Sequence, residues 1–366
     1  MKSNRILEID ILRVIAILVI VVCHIFPVIP SLTNNNIVSD IEYWLSNIGT
    51  GALSLFFLLS GYSLMIRKPQ FDTISDLKSF FVKRIVRIYP LYWVSLLIWA
   101  IIPYWGYIDY PRLTPFQQLL NIMGFGFQEL WFVGAILLFY LLFPILIFFA
   151  NKLGGSFQYS ILVVALIISI ILLSIFLILP SIRAIISMIF VYYWFFVLGI
   201  ILGRGTSISR IKSFTIGKVI FLSGIGLVFI YVIRRMSIPF LDPVEQLIPD
   251  WIQGQIVRGL FGIIGISIAI QLTNSTKGYF IGPLYRIVRR VGPRTYSIFL
   301  FHPYILLAIA VLANALDSSL VPVLVIIIGI PLSIFIPPYI QDAVDYGMSR
   351  FANRLHQLRG VEKEGV

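Results

Sequence analysis

Long runs of apolar residues constrain this chain more than any other feature of its sequence. Runs such as 130–150 and 158–180 are about 20 residues long, the length that a helix needs to cross the hydrocarbon core of a bilayer. Apolar residues make up 59% of the chain and charged residues only 12%, which is too little charge to cover a water-facing surface. A soluble fold is therefore excluded. The sequence predicts an all-α, polytopic bundle of transmembrane helices.

About ten apolar segments are predicted to span the membrane. If the N-terminus is cytoplasmic and the spans alternate, 22 of the 28 basic residues lie on the cytoplasmic side and five on the outer side. Because basic residues concentrate in cytoplasmic loops, this distribution predicts ten spans with both termini inside, in a multi-pass protein of the cytoplasmic (inner) membrane. It also explains the net charge of +12 without nucleic acid as a partner. The approximate spans are 11–30, 47–66, 88–108, 130–150, 158–180, 184–203, 216–235, 252–273, 295–314 and 320–340.

One membrane domain is predicted over residues 1–341, followed by a short cytoplasmic tail over 342–366. The basic residues Lys2 and Arg5 precede the first apolar segment, as in a signal peptide, but no small-residue cleavage site follows them. We therefore expect the first segment to be a retained helix. Cys23, the one cysteine of the chain, lies within this segment, so no disulfide can form within the chain.

Three ionisable residues lie in or beside the first segment: Asp10, Arg13 and His24. Such residues cost roughly 2.5–3.5 kcal/mol each in a bilayer and therefore indicate function by default. Helical geometry puts all three on one face, with Arg13 and His24 about 16 Å apart along the axis. Neutral imidazole is a suitable general base. The structural alternative is that Arg13 extends to the interface, His24 bonds a neighbouring helix and Asp10 contacts free amides of the helix start.

A basic cluster, Lys83, Arg84 and Arg87, precedes the third predicted span. Arg84 and Arg87 are three residues apart and share a helix face, and a pair of guanidiniums suits phosphate oxygens. The alternative is a topology determinant or a contact with lipid headgroups. The glycine and lysine spacing of a P-loop is absent, so a nucleotide hydrolase is not supported.

A third candidate site opens the ninth span, where Tyr296 and Ser297 precede His302 and Pro303. Two of the three histidines of the chain thus lie within predicted spans, and the third, His356, is expected to be solvated in the tail. No carboxylate or cysteine stands at ligand spacing from His24 or His302, so no metal site is predicted.

Five short motifs resemble, in order, those of the membrane acyltransferase 3 family, the bacterial O-acetylases of surface polysaccharides and related molecules. The resemblance covers about residues 5–340. Many members carry a glutamate pair where this chain has Ile136 and Leu137, so a carboxylate role there does not carry over. The five motifs are Ile9-Asp10-Ile11-Leu12-Arg13 with His24 after ten more residues; Phe56-Phe57-Leu58-Leu59-Ser60-Gly61-Tyr62; Arg84-Ile85-Val86-Arg87-Ile88-Tyr89-Pro90; Trp131 with Phe139, Tyr140 and Pro144; and Tyr296-Ser297 with His302.

The resemblance implies an integral membrane O-acyltransferase. Its donor would be a cytoplasmic acyl-CoA, usually acetyl-CoA, its acceptor a hydroxyl of a cell-envelope glycan or related molecule, and no cofactor would be tightly bound. His24, acting as base or acyl carrier with Arg13 and Asp10, is expected to be catalytic, and Lys83, Arg84 and Arg87 to hold the donor. The expected acceptor-binding or supporting residues are Ser60, Tyr89, Glu129, Trp131, Tyr296 and His302.

Two other functions fit parts of the sequence. A transporter or flippase of an envelope glycan or lipid intermediate would also have ten spans and an intramembrane polar stripe. Against it, the chain lacks paired halves with corresponding broken helices. A non-catalytic membrane subunit is the second alternative, with Arg13 and His24 acting only between helices. Membrane lipids are expected partners in every case.

Overall fold

In a computed structural model, the chain is described over residues 7–25, 36–67, 69–101, 130–153, 156–178, 183–205, 217–227, 250–276, 282–317 and 320–364. Nearly all of these residues are helical, and none of them forms a strand, which confirms the predicted all-α class. The α-helices are α1 (Leu7–Cys23), α2 (Asn36–Met65), α3 (Ile74–Ile101), α4 (Trp131–Lys152), α5 (Phe157–Ile178), α6 (Arg183–Gly205), α7 (Gly217–Leu227), α8 (Asp250–Thr276), α9 (Pro283–Val291), α10 (Thr295–Leu316), α11 (Val321–Leu324), α12 (Ile330–Phe335) and α13 (Pro337–Glu364).

Six segments of the described chain are long and apolar enough to cross a membrane, so the chain is a multi-pass membrane protein. All ten predicted spans overlap a described helix, but α1 has only 17 residues and carries three charges, and α3 begins with several charged residues. The total of ten spans and the cytoplasmic termini therefore stay predictions. The six segments are Asn47–Met65, Trp131–Lys152, Phe157–Ile175, Gly254–Thr276, Pro283–Leu316 and Val321–Phe351.

Helix α2 lies at the centre of the bundle and packs against α1, α6 and α8. Small residues make this packing close. A Cβ added at Gly61 would fall on the carbonyl oxygen of Phe196, and one added at Gly199 on that of Leu58. A Cβ added at Gly203, one turn after Gly199, would lie 2.9 Å from both the Met65 Cβ and the Tyr62 carbonyl oxygen. Lipid tails are as apolar as the helix surfaces, so such close van der Waals contact is a main source of helix association in a bilayer.

An aromatic layer fills the space between α2, α4 and α6. Phe57 of α2 contacts Phe139 of α4 at 5.1 Å between ring centroids and Tyr192 of α6 at 5.0 Å. Phe139 in turn contacts Phe196 of α6 at 5.2 Å. These rings are almost fully buried. Their large, stiff side chains fix the distances between the three helices.

The segment from α9 to α10 is almost continuously helical, because a single 3₁₀ turn, Gly292–Arg294, joins the two helices. Helix α10 contacts α1 and α3, and it also packs on α11, α12 and α13. At its start, Arg294 forms an ion pair with Asp342 of α13 at 2.7 Å. Helix α10 is thus the element that brings the first and third helices together with the C-terminal part of the chain.

Helix α13 runs without interruption across the predicted boundary between residues 341 and 342. The division into a membrane domain and a tail remains a prediction from the sequence. Asp342, just beyond that boundary, is held to the membrane part of the chain by its ion pair with Arg294.

Candidate active site

Asp10 is buried near the start of α1 and holds two arginines. One carboxylate oxygen accepts a hydrogen bond from Nη1 of Arg289 at 3.1 Å, and the other lies 3.9 Å from Nη1 of Arg13. Arg13 also donates to the hydroxyl of Ser63 on α2 at 3.1 Å. Both guanidiniums are about one-quarter exposed, whereas the Asp10 side chain is only 4% exposed. The carboxylate therefore orients Arg13 between α1, α2 and α9.

Gly292 lets this ion pair form. A Cβ at this position would lie 2.7 Å from the Asp10 Cβ and 3.0 Å from its Cα and carbonyl oxygen. Real Cβ atoms do not approach other carbons so closely, so only glycine allows the 3₁₀ turn to lie against α1 here. That close approach places Arg289, one turn earlier, within reach of Asp10.

His24 and His302 are in direct ring contact. Their ring centroids lie 4.8 Å apart with an angle of 83° between the planes. His302 of α10 is 1% exposed, and His24 beyond the end of α1 is partly buried. The sequence predicted both residues as site candidates, and the fold brings them together across a separation of 278 positions.

The main chain fixes the tautomer of each ring. Nδ1 of His24 lies 2.8 Å from the carbonyl oxygen of Ile20, and Nδ1 of His302 lies 3.0 and 2.9 Å from those of Ile298 and Phe299. A carbonyl only accepts hydrogen bonds, so this network assigns the proton to Nδ1 in both neutral rings. Nε2 then carries the lone pair in each ring.

No metal site accompanies the two histidines in the described part of the chain. Nowhere within it do three or more His, Cys, Asp or Glu side chains gather so as to hold a metal ion. Phe299 instead borders the pair, at 6.0 Å from His302, and itself packs on Phe132 at 4.5 Å. The recorded aromatic neighbours of the pair are therefore apolar.

The basic cluster of α3 contains one anchored and one exposed arginine. The guanidinium of Arg84 lies 4.0 Å above the ring of Phe80 and donates to the Phe80 carbonyl at 3.2 Å. Burial lowers the pKa of Arg84; Tyr140 acts against this effect, whereas the neighbouring charges of Arg67 and Arg87 lower the pKa further. Arg87 is exposed. Three guanidiniums that repel one another would be stabilised by an anion with several charges.

Tyr296 connects the start of α10 to this cluster. Its hydroxyl donates to the carbonyl of Ile88, the residue after Arg87, at 3.2 Å. Two turns later, the Tyr304 hydroxyl lies 3.0 Å from that of Ser95, also on α3. Helix α10 therefore borders α3 at the arginines and further along its length, with His302 between the two contacts.

The remaining predicted residues are less closely connected. Trp131 packs on Tyr192 at 5.5 Å, Tyr89 lies 5.5 Å from Trp93, and Ser60 on α2 is partly buried. Lys83 is exposed, and Glu129 lies outside the described residues. At the two positions where many family members carry glutamates, this chain has apolar side chains that belong to the packing. Ile136 is buried in the core, and Leu137 packs against the core.

Sequence reasoning missed Arg289, Gly292 and Ser63. Arg289 entered only as one of the basic residues that set topology, although it holds Asp10 across 279 positions. Gly292, which precedes Pro293, was a detectable sign of a special backbone position, but the sequence did not show which residue it would contact. Ser63 lies one turn after Ser60 on α2, and only the structure distinguishes which serine meets Arg13.

The fold and the site together define a multi-pass, helical membrane protein whose ionisable groups lie between its helices. The chain belongs to the acyltransferase 3 family: the family model, described as an acyltransferase domain, matches residues 6–341. This match confirms the resemblance seen in the motifs and identifies the chain as an acyltransferase. No curated protein and no solved structure matches the chain.

Proposed function

We propose that this protein transfers an acyl group, usually acetyl, from a cytoplasmic acyl-CoA to a hydroxyl of a cell-envelope glycan or related acceptor at the cytoplasmic membrane. The observation that carries the proposal is the contact between His24 and His302 inside a bundle that matches an acyltransferase family over nearly its whole length. A basic imidazole nitrogen in an apolar setting suits the activation of a hydroxyl.

The proposed chemistry begins at His24. Because its Nδ1–H is held by the Ile20 carbonyl, its Nε2 lone pair is the basic position. We propose that Nε2 takes the proton of the acceptor hydroxyl while the hydroxyl oxygen attacks the thioester carbonyl. The carbon–sulfur bond then breaks and the thiolate leaves. A carrier role for His24, in which Nε2 receives the acyl group first, uses the same lone pair.

The arginines are proposed to bind the phosphates of the donor. Arg84 is held rigid by Phe80, and Arg67 and Arg87 add positive charge beside it. A planar guanidinium that is already oriented binds phosphate oxygens with less loss of freedom than a mobile lysine. Arg13, oriented by Asp10 and Ser63, is proposed to lie further along the path of the thioester towards His24.

Donor binding by purified protein in lipid nanodiscs tests the arginine assignment. Arg84→Ala and Arg87→Ala should each weaken binding of labelled acetyl-CoA by roughly 10- to 100-fold, as expected for lost charge-assisted hydrogen bonds. Arg350→Ala is the matched control, since Arg350 also lies over an aromatic ring, that of Tyr346, at 4.9 Å, but belongs to α13. Equal binding by all three variants and wild type would overturn the assignment.

Acyl transfer and the acceptor need separate measurements. His24→Ala should insert normally, bind acetyl-CoA and lose transfer, and full transfer by this variant would refute the role of His24. Mass spectrometry of envelope glycans with and without the gene should show an acyl mass difference on the acceptor. Movement of a glycolipid across vesicles without any acyl donor would instead favour a transporter.

A further inference from the structure

Nε2 of His302 is a buried polar atom for which the described part of the chain supplies no hydrogen-bond partner. The residue is 1% exposed, so bulk water does not reach the nitrogen. Leaving such a group unsatisfied costs about 1–3 kcal/mol, and folded proteins seldom retain one without a function. The neighbouring Ser333 hydroxyl does not compensate, because it points to the main-chain carbonyl of His302 at 3.5 Å.

The two rings in contact carry the same kind of basic atom. With both Nδ1 protons directed at main-chain carbonyls, His24 and His302 each keep an Nε2 lone pair, and their rings touch at 4.8 Å. Neutral imidazoles in this tautomer offer acceptors and no donor to each other through Nε2. The arrangement becomes favourable when one proton enters the pair, because one ring can then donate to the other.

We propose that His302 is a second proton carrier that acts through His24. His24 Nε2 takes the proton when the O–H bond of the acceptor breaks and the new O–acyl bond forms. The proton then passes to Nε2 of His302, and it returns through the pair to the thiolate sulfur after the C–S bond breaks. One proton leaves oxygen and one reaches sulfur, so no further reactant is needed. This role rests on the proposed function.

The surroundings favour sharing over a single charged ring. In the described part of the chain, the ring of His302 packs against that of His24, and Phe299, which itself packs on Phe132, lies 6.0 Å from His302. The lone pair of the other ring can stabilise a proton that enters this apolar site.

Two variants separate proton transfer from packing. His302→Asn keeps an amide donor near the carbonyls of Ile298 and Phe299 but removes the base, whereas His302→Phe keeps an aromatic ring against His24 but removes both nitrogens. We expect kcat to fall about 100-fold in both variants, the size of a general acid–base contribution, while acetyl-CoA binding stays within about twofold of wild type. Wild-type kcat in either folded variant would overturn the proposal. Loss of donor binding and thermal stability together with kcat would also overturn it, because that pattern indicates a structural role.

A spectroscopic test does not depend on catalysis. The chain has three histidines, so ¹⁵N-histidine labelling in a His356→Gln background leaves His24 and His302 as the only signals. Near pH 7 both rings should show the Nδ1–H tautomer, and His302→Asn should change the Nε2 shift of His24. An Nε2–H tautomer for either ring would refute the shared-proton site. If the tautomers are as expected but no acyl transfer occurs with any donor, the proposed function fails while the pairing of the rings stands.

Discussion

Replacement of Gly292 by alanine tests whether the close approach of the 3₁₀ turn to α1 positions the site. The new Cβ would lie 2.7 Å from the Asp10 Cβ and 3.0 Å from two backbone-linked atoms, the Asp10 Cα and carbonyl oxygen. Ordinary carbon contacts are about 3.5–4.0 Å, so the two segments must separate by roughly 1 Å. Because the obstacles include backbone atoms, rotation of a side chain cannot relieve the clash.

A separation of this size affects both stability and the ion pair. Overpacking of this kind costs about 1–3 kcal/mol, which for a chain of this size corresponds to a fall in apparent Tm of a few degrees. The Arg289–Asp10 distance of 3.1 Å would lengthen towards 4 Å, the limit of a direct ion pair. Asp10 would then bind Arg289 less tightly. Arg13, which contacts the same carboxylate, would lose its fixed orientation.

The assay is thermal unfolding in detergent, followed by size exclusion, alongside acyl transfer by the folded fraction. Gly254→Ala and Gly347→Ala are the matched controls, since nothing lies within 4 Å of a Cβ at either helical position. Alanine there should be neutral or stabilise the helix by up to about 1 kcal/mol. Arg289→Ala removes the ion pair without the clash and should reproduce the loss of transfer alone. A Gly292→Ala protein as stable and active as the controls would refute the reasoning.

Three further outcomes follow from particular contacts. Gly199→Ala places a methyl group on the Leu58 carbonyl and should lower the yield of folded protein and its apparent Tm; Gly205→Ala, which meets only the flexible side chain of Gln158, should not. At the start of α3, hydrogen bonds from Thr73 lower the pKa of Asp76. The resulting stability is present above the ordinary carboxyl pKa and is lost as pH falls through the lowered one, so amide exchange in this turn should rise below roughly pH 4 in wild type and depend less on pH in Thr73→Ala. A double-mutant cycle on the partly exposed Arg294–Asp342 pair should give at most about 1 kcal/mol, decreasing with salt.

The helices could be predicted from the sequence because each depends mainly on local apolar content. The runs at 130–150 and 158–180 became α4 and α5 within a few residues. The number of spans is less certain for a physical reason. Helix α1 has only 17 residues and carries Glu8, Asp10 and Arg13, so its suitability for the bilayer depends on tertiary partners such as Arg289. No local pattern contains that information.

The candidate site was predictable by residue type but not by partner. Ionisable groups in apolar segments identified Asp10, Arg13, His24 and His302 as exceptional, because their burial requires compensation. Helical periodicity placed Arg13 and His24 on one face. In the structure they contact different helices, since Arg13 donates to Ser63 on α2 and His24 packs against His302 on α10. Contacts across more than 270 positions, such as that between Asp10 and Arg289, arise from the fold of the whole chain.

Helix α10 explains how the arginines of α3 and the histidine pair can act in one reaction. Its first turn contacts α3 through Tyr296, beside Arg87, and His302 lies six residues further on against His24. At 1.5 Å per residue, these contacts are about 9 Å apart along one helix. Just before α10, Gly292 of the 3₁₀ turn lies against Asp10, and Arg289 of α9 forms an ion pair with its carboxylate. A small rotation of α10 would therefore displace His302 from His24 and Tyr296 from the arginines together. Mutations that loosen this helix, such as Gly292→Ala, should impair donor binding and acyl transfer jointly, whereas changes at His302 alone should impair transfer only.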